Sequence, residues 1–280
     1  ITSQGEAHIY QGSDPSSAET WSRVGTFKIA EPIGRDCLIK VGGDIGVLTT
    51  QGHVPLSGVL ARAESAQGQV AITDKVRNAY TRAYARSGQM FGWQVQEYPI
   101  GKLLIVNVPI VENVDAEQFV MNSTNGKWCR FTGLKACSWG LLRGGLYFGG
   151  ADGTVYRYDG SDDDGEMIDA KSVSAFSDFG RPHSKTFSSL LPIFFGPTGY
   201  RPRVGLRLDY GEVEHLTPSI VFDAAGDVWD EKDWDECAWA PPSAPNKLWQ
   251  GISGEGITAA VVVEISSNEE ITFNGAMIRF

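Results

Sequence analysis

An acidic run is the first segment whose residue types could bind a metal ion. Residues 162–166 place four carboxylates in five positions, and hard cations such as Ca²⁺ bind several carboxylate oxygens. Counted from Asp159, however, position six is Asp164, where a helix–loop–helix calcium loop needs glycine. Position twelve is Ala170, where that loop needs a carboxylate. We therefore expect a solvated hairpin or linker loop that holds no metal ion.

No residues at the spacing of a known catalytic motif stand out. The histidines, His8, His53, His183 and His215, pair with no Cys or His at ligand spacing, and the sequence contains no HExxH or GxSxG motif. The glycine-rich stretch 140–150 lacks both GxxxxGK[ST] and GxGxxG, so we expect its glycines to form turns. The sequence predicts no enzyme activity, no metal and no cofactor. A Ser/His/Asp triad that only the fold would assemble stays open.

Tryptophan recurs every five residues at Trp229, Trp234 and Trp239, and the first two are each followed by Asp. A period of five fits neither a helix nor a strand. It favours a repeated turn in which Asp side chains bind backbone N–H groups and the indole rings fill crevices. The alternative is that these rings are exposed and stack on the sugar rings of a glycan.

Four basic residues lie on the polar side of one predicted helix. Ile72, Val76, Tyr80 and Tyr84 recur at every fourth position, with Thr73 as an N-cap and Gly88 as the stop, and this pattern predicts a helix near 72–87. The basic side chains are Lys75, Arg77, Arg82 and Arg86. They form either a solvated face or a contact surface for an acidic partner or DNA.

The elements that position these residues are short strands. Glycine is enriched, with 33 in 280 residues, and 42% of residues are hydrophobic, which is typical of a globular chain with many turns. Strands are predicted near 6–10, 24–29, 37–41, 46–50, 93–98, 103–108, 118–122, 127–131, 146–148, 154–158, 172–179, 185–195, 203–210, 257–265 and 271–280. Asn125-Gly126 and Asp152-Gly153 predict type I′ hairpin turns.

Charge and apolar patterning exclude some classes of partner. The net charge of −10 is opposite to that of a free nucleic-acid-binding protein. The longest apolar stretch, Leu103–Val111, is far shorter than the roughly 20 residues of a membrane span.

The four cysteines form no CxxC pair, and we expect small buried thiols rather than disulfides. The chain begins at Ile1 with no initiator Met or signal peptide, so we expect a longer native chain.

A degenerate repeat organises the first half of the chain. Residues 42–56 align with 144–156, each with a double-glycine turn, an apolar strand, a tight turn and a second strand. Such small meanders pack radially as propeller blades or stack as sheets. We predict an all-β fold, with propeller-like antiparallel blades over 1–160 and one inserted helix near 72–87. An antiparallel, sandwich-like unit with a Trp-rich loop follows over 161–280.

Several of these segments resemble the tail hub, nozzle and packaged-DNA-stabilisation β-propeller proteins of short-tailed bacteriophages. They are residues 10–15, 21–25, 32–35, 119–122, 126–131, 146–149 and 152–156, together with the Trp-Asp repeat. The resemblance implies a structural virion protein without a cofactor, assembled in the host cytoplasm. It implies a homo-oligomeric ring, often of six copies, that surrounds the DNA conduit and contacts other tail or portal proteins. An acidic wall fits a conduit through which DNA passes without binding.

Two other functions remain open. Eight tryptophans and the acidic, aromatic segment around 227–239 are consistent with a carbohydrate-binding or receptor-binding tail protein. A glycan-degrading enzyme on a propeller scaffold is supported by analogy of fold alone.

Overall fold

The computed structural model describes residues 1–60, 71–196, 200–220 and 245–280. The protein is all-β, with 54% strand, 8% helix and open antiparallel sheets, so the predicted fold class is confirmed. The chain divides into two compact units, Ile1–Asp159 and Gly160–Phe280. No helix in the described ranges is long and apolar enough to cross a membrane.

Unit 1 is a series of meanders, and within each sheet every strand pairs with the next one along the chain. The strands are β1 (Glu6–Gly12), β2 (Trp21–Lys28), β3 (Leu38–Val41), β4 (Asp44–Thr49), β5 (Gly52–Pro55), β6 (Gln94–Tyr98), β7 (Leu103–Val111), β8 (Asp115–Asn122), β9 (Lys127–Thr132), β10 (Ala136–Leu142), β11 (Gly145–Gly150) and β12 (Val155–Tyr158). They form the sheets β1-β2, β3-β4-β5, β6-β7-β8-β9 and β10-β11-β12. The two segments related by the sequence repeat fall in the two three-stranded meanders.

The helical insertion lies where it was predicted, but its start differs. After the short helix α1 (Leu56–Leu60), a 3₁₀ turn over Ile72–Val76 leads directly into α2 (Arg77–Ser87), and Gly88 is the C-cap. The prediction that Thr73 caps this helix is wrong. Thr73 is buried within the 3₁₀ turn, and its Oγ1 accepts a hydrogen bond from the backbone N–H of His53 at 3.1 Å.

The hairpin turns also differ from the prediction. At Asn125-Gly126 and Asp152-Gly153 only the glycines have positive φ, 63° and 85°, whereas a type I′ turn needs positive φ at both central residues. That geometry occurs instead at Arg143 (φ 51°) and Gly144 (φ 83°), between the paired residues that end β10 and begin β11. The pairing of the strands, and not the local Asn-Gly or Asp-Gly preference, therefore decides which hairpin has the type I′ turn.

The core of unit 1 lies on both faces of β7. Its even-numbered residues, such as Val106, join a cluster with Tyr80 of α2, Leu48 of β4 and Trp93. Its odd-numbered Ile105 joins a second cluster that includes β10 and β11 residues. The sheet β6–β9 is thus the middle layer of this unit, and alternation of side chains along β7 explains its continuous apolar sequence.

Unit 2 is built from two four-stranded sheets that line one core, as expected of a sandwich-like unit. The strands are β13 (Ile168–Val173), β14 (Lys185–Phe195), β15 (Arg203–Leu208), β16 (Glu214–Leu216), β17 (Asn246–Lys247), β18 (Gln250–Gly256), β19 (Ala259–Ser267) and β20 (Thr272–Arg279). One sheet has the order β13-β19-β15-β16. In the other sheet, β14 pairs with β17 and β18 on one edge and with β20 on the other. The core contains Phe187, Leu190 and Phe194 from the second sheet and Val204 and Val263 from the first.

A buried lysine closes one end of unit 2. The Lys185 side chain is 5% exposed, and its Nζ donates to the backbone carbonyls of Arg181 (2.5 Å), His183 (3.0 Å) and Ile257 (2.6 Å). The ring of Phe280 lies 5.8 Å from the same ammonium. Three carbonyl dipoles and an aromatic face therefore replace the water that the buried charge has lost.

Candidate functional site

The basic residues predicted on the helix are mostly engaged within unit 1. Lys75 Nζ donates to the backbone carbonyl of Gly126 at 2.9 Å. Arg77 binds Asp74 at 2.6 Å, one turn earlier. Lys75 therefore contacts the turn between β8 and β9, whereas the contact of Arg77 lies within the helical insertion.

Arg86 makes the more consequential contact, because its partner is buried. It lies 2.6 Å from Glu117 of β8, whose side chain is 7% exposed, and Arg130 of β9 lies 3.6 Å from the same carboxylate. Arg82 is exposed and has no partner among the residues that the structure describes. Two of the four basic side chains, Lys75 and Arg86, therefore attach the helical insertion to the sheet β6–β9, and Arg82 is the basic residue left for a partner.

The predicted aromatic residues Trp229, Trp234 and Trp239 lie outside the described residues, as does Cys237. Nearby in sequence, Trp249 is described. Its side chain is 40% exposed, and the guanidinium of Arg279 lies 4.1 Å from its ring centroid.

The acidic run forms a tight turn. Asp163 and Glu166 exchange two backbone hydrogen bonds, with positive φ at Asp164 (54°) and Gly165 (89°) between them, which is type I′ geometry. Asp162 Oδ1 accepts the Gly165 N–H at 2.9 Å. These carboxylates face solvent, and no group of three or more potential metal ligands occurs within the described part of the chain.

Of the described cysteines, Cys37 is buried, Cys137 is half-buried and Cys129 is exposed, and all three are free thiols. The expectation of buried thiols is therefore wrong for Cys129. Its strand, β9, is the edge strand of its sheet, and four of the six residues of this strand are exposed.

Among the histidines, His53 is the one whose chemistry the fold changes most. Its side chain is completely buried, and neither ring nitrogen has a hydrogen-bond partner in the described structure. The ring lies over Gly46, where an added Cβ would approach Nε2 to 2.0 Å. Burial lowers the pKa of His53 to about 4, so this ring is neutral at physiological pH.

Sequence reasoning missed a charged surface on the sheet β13-β19-β15-β16 of unit 2. Lys171 of β13 lies 2.6 Å from Glu214 and 2.8 Å from Glu264. Arg203 of β15 contacts Glu264 at 3.4 Å, and Arg207 contacts Glu214. The hydrogen bonds to Glu214 and Glu264 raise the pKa of Lys171, and those from Lys171 and Arg207 lower the pKa of Glu214. Basic and acidic side chains thus alternate across the sheet.

This surface borders an open cavity of about 370 Å³. Its walls include Asp169, Lys171, Arg201 and Glu264. Arg201 is exposed and unpaired among the described residues, whereas the other charged groups named here already have partners. The cavity therefore offers one uncommitted cation on a surface of balanced charge.

The edge strand β13 is the most unusual part of this surface, because all six of its residues are exposed. Among the residues that the structure describes, only one of its edges is paired, with β19. One residue beyond the end of β13, the backbone N–H of Ser174 donates to the carbonyl of Val261. Ser174 and Val261 are therefore a hydrogen-bonded pair of the ladder between β13 and β19. Because hydrogen-bonded and non-bonded pairs alternate in an antiparallel ladder, Asp169, Lys171 and Val173 direct their backbone groups outward.

The position of β13 was also predicted incorrectly. The β-branched and aromatic residues at 172–179 favour a strand there, but the strand covers Ile168–Val173. Pairing with β19 decides the outcome, since each β13 residue has a β19 partner in register. A sequence signal exists in the alternation of Ile168, Ala170 and Ser172 with Asp169 and Lys171, although it is weak.

No protein-family model matches this chain, and no curated protein matches it.

Proposed function

We propose that this protein is a structural component of a phage tail, a hub, nozzle or adaptor that assembles with further chains around the DNA conduit of the virion. The single observation that carries the assembly role is β13, a strand with six exposed residues and one edge to which no strand of the described ranges pairs. Edges of this kind pair readily with another chain unless they are blunted or covered. The resemblance of several segments to short-tailed phage proteins supports the virion context.

The charge of the chain supports passage of DNA without its capture. The net charge is −10, and three of the four basic side chains on the helical insertion bind groups within unit 1. A wall of net negative charge repels phosphates and does not retain them.

Solution mass tests this function. Light scattering of the chain over a wide concentration range should give one defined oligomer, a closed ring in the simplest case. Negative-stain images of that species should show a central channel. A strict monomer at the highest concentration, together with absence of the chain from purified virions, would overturn the proposal.

A carbohydrate- or receptor-binding tail protein is the second candidate, favoured by the exposed ring of Trp249 beside Arg279. Such a protein should show a change in tryptophan fluorescence on titration with host polysaccharide. The change should shrink in Trp249→Ala and in Trp234→Ala, measured separately, and remain in Trp93→Phe, which alters a buried ring in unit 1. Fluorescence that no polysaccharide alters would exclude this function.

A further inference from the structure

The outward edge of β13 carries a charge pattern that is complementary to itself. Asp169 and Lys171 both direct backbone groups away from β19, and they alternate with Ala170. When two copies of a strand pair antiparallel, a two-fold axis relates them. If this axis passes beside residue i, residue i−1 of one copy lies opposite residue i+1 of the other. With the axis at Ala170, Asp169 lies opposite Lys171 of the second copy, twice in the same contact.

The apolar residues fit the same register. Met167 is 61% exposed and Val173 is 38% exposed. In the arrangement centred on Ala170, Met167 lies opposite Val173 of the second copy, and each contact removes apolar surface from water. The neighbouring hydrogen-bonding registers, centred on Asp169 and on Lys171, place two aspartates or two lysines directly opposite each other, which is destabilising.

We propose that β13 pairs with β13 of a second copy of this chain in the antiparallel register centred on Ala170. The inference rests on the assembly role proposed above and specifies its contact. The four-stranded sheet β13-β19-β15-β16 then continues across the two-fold axis into the same sheet of the partner. Because a two-fold contact closes after two copies, a larger ring of this protein requires a second, different surface.

A designed disulfide tests the register. Ala170 lies opposite Ala170 of the second copy as a non-hydrogen-bonded pair, with an expected Cα separation of about 4.5 Å, which is within the range for disulfides. Ala170→Cys should therefore give a covalent dimer under mild oxidation. Ser172→Cys is the matched control, because its two copies would be about 13 Å apart. The unmodified chain, which has four native cysteines, gives the baseline.

Charge reversal tests the same contact without covalent chemistry. Asp169→Lys turns both opposite-charge pairs into like-charge pairs, and we expect the dissociation constant of the dimer to rise by about tenfold or more. Glu212→Lys is the control. It makes the same change of charge at an exposed residue between β15 and β16, at the other end of the sheet. Circular dichroism of each variant checks that the fold is retained.

Removal of an outward N–H provides a third test. Val173→Pro deletes a donor that faces away from β19, and proline is tolerated at such positions on edge strands. The variant should fold and fail to dimerise.

The outcomes separate this inference from the proposed function. An oligomer of the unmodified chain that is insensitive to Asp169→Lys and Val173→Pro, or a crosslink through Lys171→Cys in place of Ala170→Cys, overturns the β13 contact. In either case the assembly role remains. A chain that is monomeric at all concentrations overturns the β13 contact, and its absence from purified virions as well overturns the proposed function.

Discussion

Gln94 and Trp139 are joined by two hydrogen bonds between a side chain and a backbone. The amide of Gln94 donates from Nε2 to the Trp139 carbonyl at 2.8 Å, and its Oε1 accepts the Trp139 N–H at 2.7 Å. The side chain of Gln94 thus takes the place of a neighbouring strand and fastens β10 to β6. The indole N–H of Trp139 extends the contact to Asn107 Oδ1 of β7 at 3.0 Å.

Replacing Gln94 should therefore loosen the attachment of β10. We expect Gln94→Ala to lower the free energy of unfolding of unit 1 by about 2 kcal/mol or more, because a backbone donor and acceptor lose their partners. Urea unfolding followed by tryptophan fluorescence measures the change. Gln96→Ala is the control on the same strand, since its amide makes one local hydrogen bond to Glu97 O. Equal losses for the two variants would contradict the role given to Gln94.

His53 should make the stability of unit 1 sensitive to acid. Its pKa is about 4 in the folded protein and about 6.5 in an unfolded chain, so the unfolded state binds the proton first. The free energy of unfolding therefore carries the full contribution of neutral His53 above pH 6.5. It falls by about 3 kcal/mol in total as the pH is lowered towards 4.

The free energy of unfolding measured between pH 7 and 4 tests this prediction. In His53→Leu the free energy of unfolding should change less steeply with pH over this range, whatever the variant's stability at pH 7. A slope that His53→Leu does not change would show that other groups cause the acid sensitivity.

Arg86 and Arg82 should differ in their effect on stability although they lie on the same helix. Arg86→Met leaves the buried Glu117 with Arg130 alone, at 3.6 Å. We expect a loss of about 2 kcal/mol in the free energy of unfolding, less than for a fully buried pair, because the Arg86 side chain is 44% exposed. Arg82→Met should change stability by less than about 0.5 kcal/mol. Thermal unfolding of the two variants side by side makes the comparison, and a reversed order would refute the assignment.

Much of the strand pattern was predictable, because local sequence and tertiary pairing agree there. β14 covers Lys185–Phe195, the same residues as the prediction, since its long apolar alternation ends at Gly196. β7 was likewise evident from its continuous apolar run. The all-β class follows from these strands and from the glycine-rich turns between them.

The remaining elements depend on partners that are distant in sequence. No strand was predicted at β10, where Gly140 interrupts the apolar pattern, yet Gln94 and Asn107 hold it from 45 and 32 residues away. The charged surface of unit 2 was missed for the same reason, since Lys171 and Glu264 are 93 residues apart. Their types are common on exposed strands, and only the register of β13 with β19 brings them together.

Lys185 should tolerate the loss of its ammonium poorly. Lys185→Met preserves most of the side-chain volume but leaves three carbonyls without their donor, and we expect a loss of about 3 kcal/mol in the free energy of unfolding. Lys247→Met, at an exposed lysine of β17, is the control. Chemical denaturation of both variants measures the difference, and similar stabilities would contradict the role of the buried ammonium.

The closure around Lys185 also has a consequence for where the protein can work. One side chain ties residues 181 and 183 to residue 257, as a covalent crosslink would, but it contains no sulfur. Its strength is independent of thiol reductants and oxidants, in contrast to a disulfide. This closure is therefore the same in the reducing interior of a cell as in the oxidising medium outside.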